Sequence, residues 1–381
     1  MIEEAAALEG MALRIEQWNH EASLDSIRHY AWGIGDNNPL WCDEAYAATA
    51  RFGKVAAPPT FLYSVYTGAM GIGLVGVQAF GVGTRWEFYH PVLRNDRVAV
   101  DAKVGPIEVK SGSLAERFVL QTTANEYVRA DGTILARSWG RTARVPRSGA
   151  RGGLQYKQRD PHQYTTDELE AIRQHVINQP LRGATPRYWE DVPVGEELPP
   201  VVKGPLDQLT MTAYYAGSPG SPATKSADLR WQWKTWAAES PDRITNIYDT
   251  AFWLEDTGVP VTRTGGASPA AGHQDADVAR QIGMPGRYGN ASQKSAWMAH
   301  TVLNWMGDAG DVVELDFKLR RPDVYGDTAW CRAHVKEKVE PDLVRIELSS
   351  DNQLGTVTAT GRATVRLPRR TPAAAGATTS P

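Results

Sequence analysis

Apolar positions recur at helical spacing around Ile15, Trp18, Leu24 and Ile27, within residues 11–30. Asp43 to Phe52 reads as a second helix, with Asp43 placed as its N-cap and alanines inside. The next stretch, VAAPPTFLYSVYTGAMGIGLVG, opens at a double proline and then turns almost wholly apolar. Proline is well placed at a helix start, and a helix apolar on all sides belongs in a core. A long buried helix is therefore predicted over residues 60–75. Beyond it the period of the pattern changes to two. Residues 83–110 and 114–146 read as long antiparallel strands, with Asp131-Gly132 as a hairpin turn.

Residues 147–185 are polar and glycine-rich at first, then helical over TTDELEAIRQHVI, as a linker would be. A new unit follows, and it repeats the first. LDSIRHYAWGIGD (24–36) is echoed by LDQLTMTAYYAGSPG (206–220), and WCDEAYAATARFG (41–53) by HQDADVARQIG (273–283). WEFYHPVLRNDRVAVDAKV (86–104) is echoed by LDFKLRRPDVYGDTAWCRAHV (315–335). A second apolar helix is expected at 289–306. A period of about 200 residues is too long for a solenoid and indicates a duplicated domain. The expected organisation is a first unit over 1–146, the linker over 147–185 and a second unit over 186–367. An insertion at 221–267, carrying Trp231, Trp233, Trp236 and Trp253, interrupts the second unit, and a disordered tail is expected at 368–381.

Composition narrows the function classes. The chain has 381 residues and a formal net charge of −3, which offers no electrostatic case for nucleic acid or an acidic membrane. No apolar run reaches the roughly 20 residues that span a bilayer. The acidic, amphipathic N-terminus does not fit a targeting signal, so a cytoplasmic protein is expected. Cys42 and Cys331 are too few for a disulfide framework or a cysteine-rich zinc site. H-x-D alone is a poor metal ligand set, and no G-x-G-x-x-G run joins a strand to a helix, so no metal or dinucleotide cofactor is expected.

YAWGIGDNNPLWCDEAYA resembles the D-x-N-P-(L/I/V)-H-x-D loop of MaoC-like dehydratases and (R)-specific enoyl-CoA hydratases. WEFYHPVLRNDRV resembles the strand that follows the central helix in that family, with Asn95-Asp96 where Gly-Asp is usual. RRPDVYGDTAW matches it more fully, through Pro322 and Gly326-Asp327. The resemblance implies an α+β fold, a double hotdog of two tandem units, each a buried helix wrapped by a curved antiparallel sheet. The first unit is similar to the FAS1-like dehydratase type with a degenerate motif, and the second is MaoC-like. The implied activity is a cofactor-independent hydro-lyase acting on a 3-hydroxyacyl or enoyl thioester of CoA or a carrier protein. A homodimer is compatible with it.

That chemistry asks for a carboxylate and an imidazole around one water, and for N–H donors at the start of the buried helix. In the first unit Asp36, Asn38, Pro39, Leu40 and Asp43 match the loop. Trp41 stands where histidine is expected, and Pro58-Pro59 brings prolines, which have no N–H, to the helix start. In the second unit His273 and Asp275 match H-x-D, and Tyr288-Gly289 precedes the helix. Ser268 occupies the position of the usual aspartate. His273, Asp36 and Tyr288 are thus the catalytic candidates. Asn38, Gly289, Trp41, Asp275 and Ser268 are the substrate-contact candidates, and Asp249, Glu255 and Asp256 could replace the missing acid.

Plainer roles stand beside these. Asp36 with Asn38 could be a helix-capping Asx cluster, and Asp275 a helix N-cap. His90, His300 and His334 read as satisfied core or sheet residues, and Tyr288 as packing. Arg320-Arg321 and Arg369-Arg370 are weak candidates for CoA phosphates. A different class of function is also open, since neither unit carries a complete Asp–His pair. The chain could be a non-catalytic double-hotdog subunit that stabilises or tunes an active hydratase. A hotdog thioesterase ranks last, because GNASQKSAWMAH offers no acid early in the helix.

Overall fold

The computed structural model describes residues 3, 6–13, 15, 17–68, 78–112, 115–145, 156–218, 226, 228–229, 232 and 269–370. Most of the insertion, with Ser268, Asp249, Glu255, Asp256 and its four tryptophans, lies outside the described residues, as do 371–381.

Among the described residues one ten-stranded sheet runs through the molecule. Its strands are β1 (Ala12–Leu13), β2 (Gln78–Phe88), β3 (Val98–Gly112), β4 (Ala115–Arg129) and β5 (Ile134–Val145) from the first half. The second half adds β6 (Glu197–Lys203), β7 (Asp311–Leu319), β8 (Ala329–Val339), β9 (Leu343–Asn352) and β10 (Val357–Arg366). The spatial order is β1-β3-β4-β5-β2-β7-β10-β9-β8-β6. Exchanging each strand for its repeat partner (β1 for β6, β2 for β7 and so on) reads the same order backwards. The halves join through β2 and β7, antiparallel, with Thr84 opposite Phe317 and Trp86 opposite Leu315.

The turns repeat as well. Asn95, at φ 71°, sits before Asp96, whose carboxylate accepts from Leu93 N at 2.9 Å. Gly326, at φ 88°, sits before Asp327, whose carboxylate accepts from Val324 N at 3.0 Å. Asparagine is among the few non-glycine residues that enter this left-handed region readily, which explains the exchange.

Helices α1 (Leu24–Gly33), α2 (Pro39–Cys42), α3 (Glu44–Thr49), α4 (Leu62–Val65), α5 (Thr166–Ile177), α6 (Gln208–Gly217), α7 (Ala276–Gln281) and α8 (Ala291–Met306) cover the sheet and link the halves. Ser23 caps α1 and Asp207 caps α6, each side chain accepting from the backbone three residues on. These two helices touch through glycine. A Cβ at Gly33 would lie 2.7 Å from the Ala213 carbonyl oxygen, and one at Gly217 would lie 2.2 Å from that of His29. Gly217→Ala is therefore expected to lower stability by about 1–3 kcal/mol through overpacking, as read by urea denaturation. An unchanged midpoint would show that the helices part without cost.

α8 is the predicted second-half helix. Asn290 caps it through Ser292 N at 3.0 Å, and it is buried from Ser292 to Met306. The matching first-half helix departs from expectation. It leaves helical backbone at Tyr66 (φ −156°, ψ 131°), and residues 69–75 of the predicted helix lie outside the described residues. β-branched and aromatic residues at Val65 and Tyr66 favour extended backbone, and Gly68 turns at φ 66°. Tyr63 on α4 ties the halves together. Its hydroxyl accepts from Trp86 Nε1 at 2.8 Å and donates to Ser295 on α8 at 3.1 Å. Both cysteines are free, and no described helix is long and apolar enough to cross a membrane.

Candidate functional site

In the second half, a short turn over Pro269–His273 leads into α7. Asp275 serves as its N-cap, accepting from Asp277 N at 2.8 Å and Val278 N at 3.0 Å. His273 lies just before this cap, half-buried. Its Nδ1 is 2.8 Å from the Tyr288 carbonyl oxygen. A carbonyl only accepts, so Nδ1 carries the hydrogen. Desolvation pushes the imidazole pKa down to about 4, so the ring is neutral near pH 7. Nε2 then holds a lone pair, the arrangement a general base requires.

Aromatic rings flank it, with Tyr288 at 4.2 Å and Tyr215 at 6.5 Å between centroids. Tyr288 is buried, and that burial pushes its phenol pKa up and keeps it protonated. Gly289 does not offer its N–H outward, because that group donates to the Asp323 carbonyl at 2.9 Å. Gln293 lies in the first turn of α8, fully buried, with neither amide atom partnered. Its Oε1 would be 3.6 Å from a Cβ built at Gly289. Among the described residues this buried amide is left without a hydrogen-bond partner, which is rare.

The first-half loop is organised differently. Asp36 follows α1, and its Oδ1 accepts from Asn38 N at 3.1 Å. Asn38 Oδ1 in turn accepts from Leu40 N at 2.9 Å, capping α2. The same Asp36 oxygen lies 3.4 Å from His300 Nε2 on α8. His300 Nδ1 lies 2.8 Å from Lys203 Nζ, and that ammonium also donates to the Gly35 carbonyl at 2.7 Å. All three side chains are buried, with relative exposures of 1% for Asp36, 4% for His300 and 8% for Lys203. Burial pushes His300 down to about 4 and Lys203 down to about 8. Lysine donates to Nδ1, so Nε2 carries the hydrogen and faces Asp36.

Trp41 is buried, and its indole N–H has no partner among the described residues. It lines a cavity of about 240 Å³ with Asn38, Leu62, Leu303 and Met306. Asn38 also borders a larger cavity of about 690 Å³, together with Asp36, Lys203, Trp297, His300 and Asn304. Trp41 holds the place that His273 holds in the other half, two residues before a capping aspartate.

The structure thus brings Asp36 together with Asn38, and His273 together with Tyr288. Among the described residues no hydrogen bond or ion pair joins the two groups. Sequence reasoning missed His300 and Lys203 as partners of Asp36. The available signals were a titratable residue inside a buried helix and a charge ending the apolar run VVK. His90 is exposed, not core. Arg369 is ion-paired with Glu190 and Glu340, and Arg370 with Asp191, which leaves them committed to surface carboxylates.

Comparison with known proteins agrees with this architecture. Residues 9–137 match the family model described as FAS1-like, dehydratase domain region. A UPF0336 protein of Parafrankia sp. (strain EAN1pec) is 30% identical over 122 residues, covering 30% of this chain and 80% of its own length. The chain belongs to the UPF0336 family. A second UPF0336 protein, from Streptomyces avermitilis, is 27% identical over 101 residues, or 25% of this chain and 67% of that one. These matches fall short of the full chain, whereas structural likeness covers nearly all of it. A structure named MaoC-like dehydratase superposes with a TM-score of 0.63 at 16% identity, covering 97% of this UPF0336 chain and 100% of the other. A Mycobacterium tuberculosis protein described as a double hotdog fold gives 0.52 at 12% identity, covering 96% and 97%. The fold of this UPF0336 chain is accordingly the double hotdog of the MaoC-like dehydratases.

Proposed function

We propose that the protein is a cofactor-independent hydro-lyase, adding water to an enoyl thioester of CoA or a carrier protein, or removing it from the 3-hydroxyacyl form. The observation that carries this reading is His273. It is a neutral imidazole whose Nδ1–H is anchored on the Tyr288 carbonyl, beside the N-terminus of α8. Nε2 takes a proton from water as the oxygen bonds to C3. The C2–C3 electron pair shifts toward the thioester oxygen, and the proton on Nε2 then passes to C2. Charge on the thioester oxygen meets the positive end of the α8 dipole and the unpaired Gln293 amide. The FAS1-like dehydratase region in the first half supports the same class of chemistry.

Purified alone, the full chain is expected to consume trans-2-enoyl-CoA, followed as loss of the enoyl thioester absorbance. A chain that is inert alone, yet raises turnover when mixed with another hotdog hydratase, would establish the non-catalytic reading instead. The pH profile is a separate check. The base is neutral above its pKa of about 4, so kcat/KM should stay level down to about pH 5 and fall below that. A fall centred near the ordinary histidine value of about 6.5 would mean that a different group is titrating.

A further inference from the structure

We infer that the chamber lined by Trp41 is a binding site of its own, which takes an uncharged, ring-bearing small molecule and has no part in proton transfer. Such binding is independent of the hydro-lyase reading. The chamber holds about 240 Å³ and lies between the halves, where α2 and the start of α4 meet the C-terminal end of α8. Close-packed interiors rarely keep voids larger than a water molecule. An open space of this size among apolar side chains costs stability, and packing alone would remove it.

The walls select the occupant. Trp41, Phe52 and Phe88 line the space, with Leu62, Leu303 and Met306 among the aliphatic walls. Aromatic rings pair favourably edge-on or offset, so three of them around one chamber favour a ring as guest. An apolar cavity of roughly 150 Å³ already takes benzene, and the larger volume here suits two fused rings. The mouth disfavours an ionised ligand. Arg51 is held by Asp311 through two hydrogen bonds of 2.8 and 2.9 Å, and Arg366 pairs with Asp342 at 3.4 Å. Asp308 brings a further carboxylate to the same mouth. A charged group passing this rim into the apolar chamber would lose its water without gaining a partner. The phosphates of CoA meet the same obstacle.

The chamber stands apart from His273. Tyr288, whose carbonyl anchors that histidine, precedes α8, whereas Leu303 and Met306 lie in its last turn. The helix rises about 18 Å from Ala291 to Leu303, at about 1.5 Å per residue. Neither His273 nor Tyr288 lines the chamber. Trp41 and His273 hold matching places ahead of their capping aspartates. One duplicated position therefore carries two kinds of side chain: an imidazole that handles a proton, and an indole that presents ring surface and has no titrating nitrogen.

The test is calorimetric titration of the full chain with indole as the probe. Indole should bind with a dissociation constant below about 1 mM, and benzoate, a ring that carries a charge, at least tenfold more weakly. Leu303→Trp and Met306→Trp each place a ring inside the chamber. Each should weaken indole binding at least tenfold and keep or raise the melting temperature, because the new ring enters existing space. In a filled core the same changes would overpack and lower it. Saturating 3-hydroxybutyryl-CoA should leave indole binding unchanged. No indole binding, or binding undiminished in both variants, overturns the site. A melting temperature lowered in both variants overturns the open chamber. Benzoate binding as tightly as indole overturns the uncharged class of ligand, and displacement of indole by the thioester shows that the chamber belongs to the thioester's own site.

Discussion

His273→Ala is expected to lower kcat/KM on enoyl-CoA by about 100-fold to 10,000-fold, the usual contribution of a positioned acid–base group. The loss should fall mainly on kcat, since the imidazole handles a proton and does not hold the acyl chain. Folding should survive. His273 is half-buried, and its described hydrogen bond goes to one carbonyl. Steady-state kinetics with a thermal melt alongside separates the two effects. A variant with wild-type turnover would remove His273 from the reaction. A variant that loses activity only by unfolding would assign the residue to structure.

Acid should destabilise the protein well before its carboxylates titrate. His300 and His273 are both held neutral, with folded pKa values pushed from 6.5 down to about 4. Below about pH 6.5 the unfolded chain takes up protons at both rings, while the folded chain refuses them until about pH 4. Stability from these groups is therefore complete above that window and drains away as pH falls through it. For the buried His300 the loss is on the order of 3 kcal/mol across the window, and it is smaller for the half-buried His273. Urea midpoints from about pH 7.5 to about pH 4 would show the slope, and His300→Gln should flatten it. Midpoints that stay level down to about pH 4.5 would contradict the neutral assignment.

Much of the fold was legible in the chain because duplication writes it twice. The caps Asp43 and Asp275, the α8 helix and the Asp131-Gly132 turn are local features, each set by a few neighbouring residues. The first-half helix misled because an apolar composition does not by itself distinguish helix from extended backbone. Val65, Tyr66 and Gly68 end it where hydrophobicity alone would continue it. The site was legible only in part. The loop motif marked Asp36 and His273, but the partner of Asp36 stands 264 positions away on another half, 3.4 Å off in space. Nothing local announces such a pairing. A histidine inside a buried run reads as core until the lysine beside it is seen. The commitment of the Gly289 N–H to Asp323 is equally invisible to spacing, being a cross-loop backbone bond.

The seam between β2 and β7 has a consequence for how the two halves can differ. In a pair of identical chains any substitution appears on both sides of the seam at once, so a loop cannot be changed in one half and kept in the other. Here the two sides are encoded separately. Position 41 carries tryptophan where position 273 carries histidine, and β6 ends on a lysine that β1 lacks. Covalent fusion thus turns one symmetric assembly into two independently heritable environments around a shared sheet.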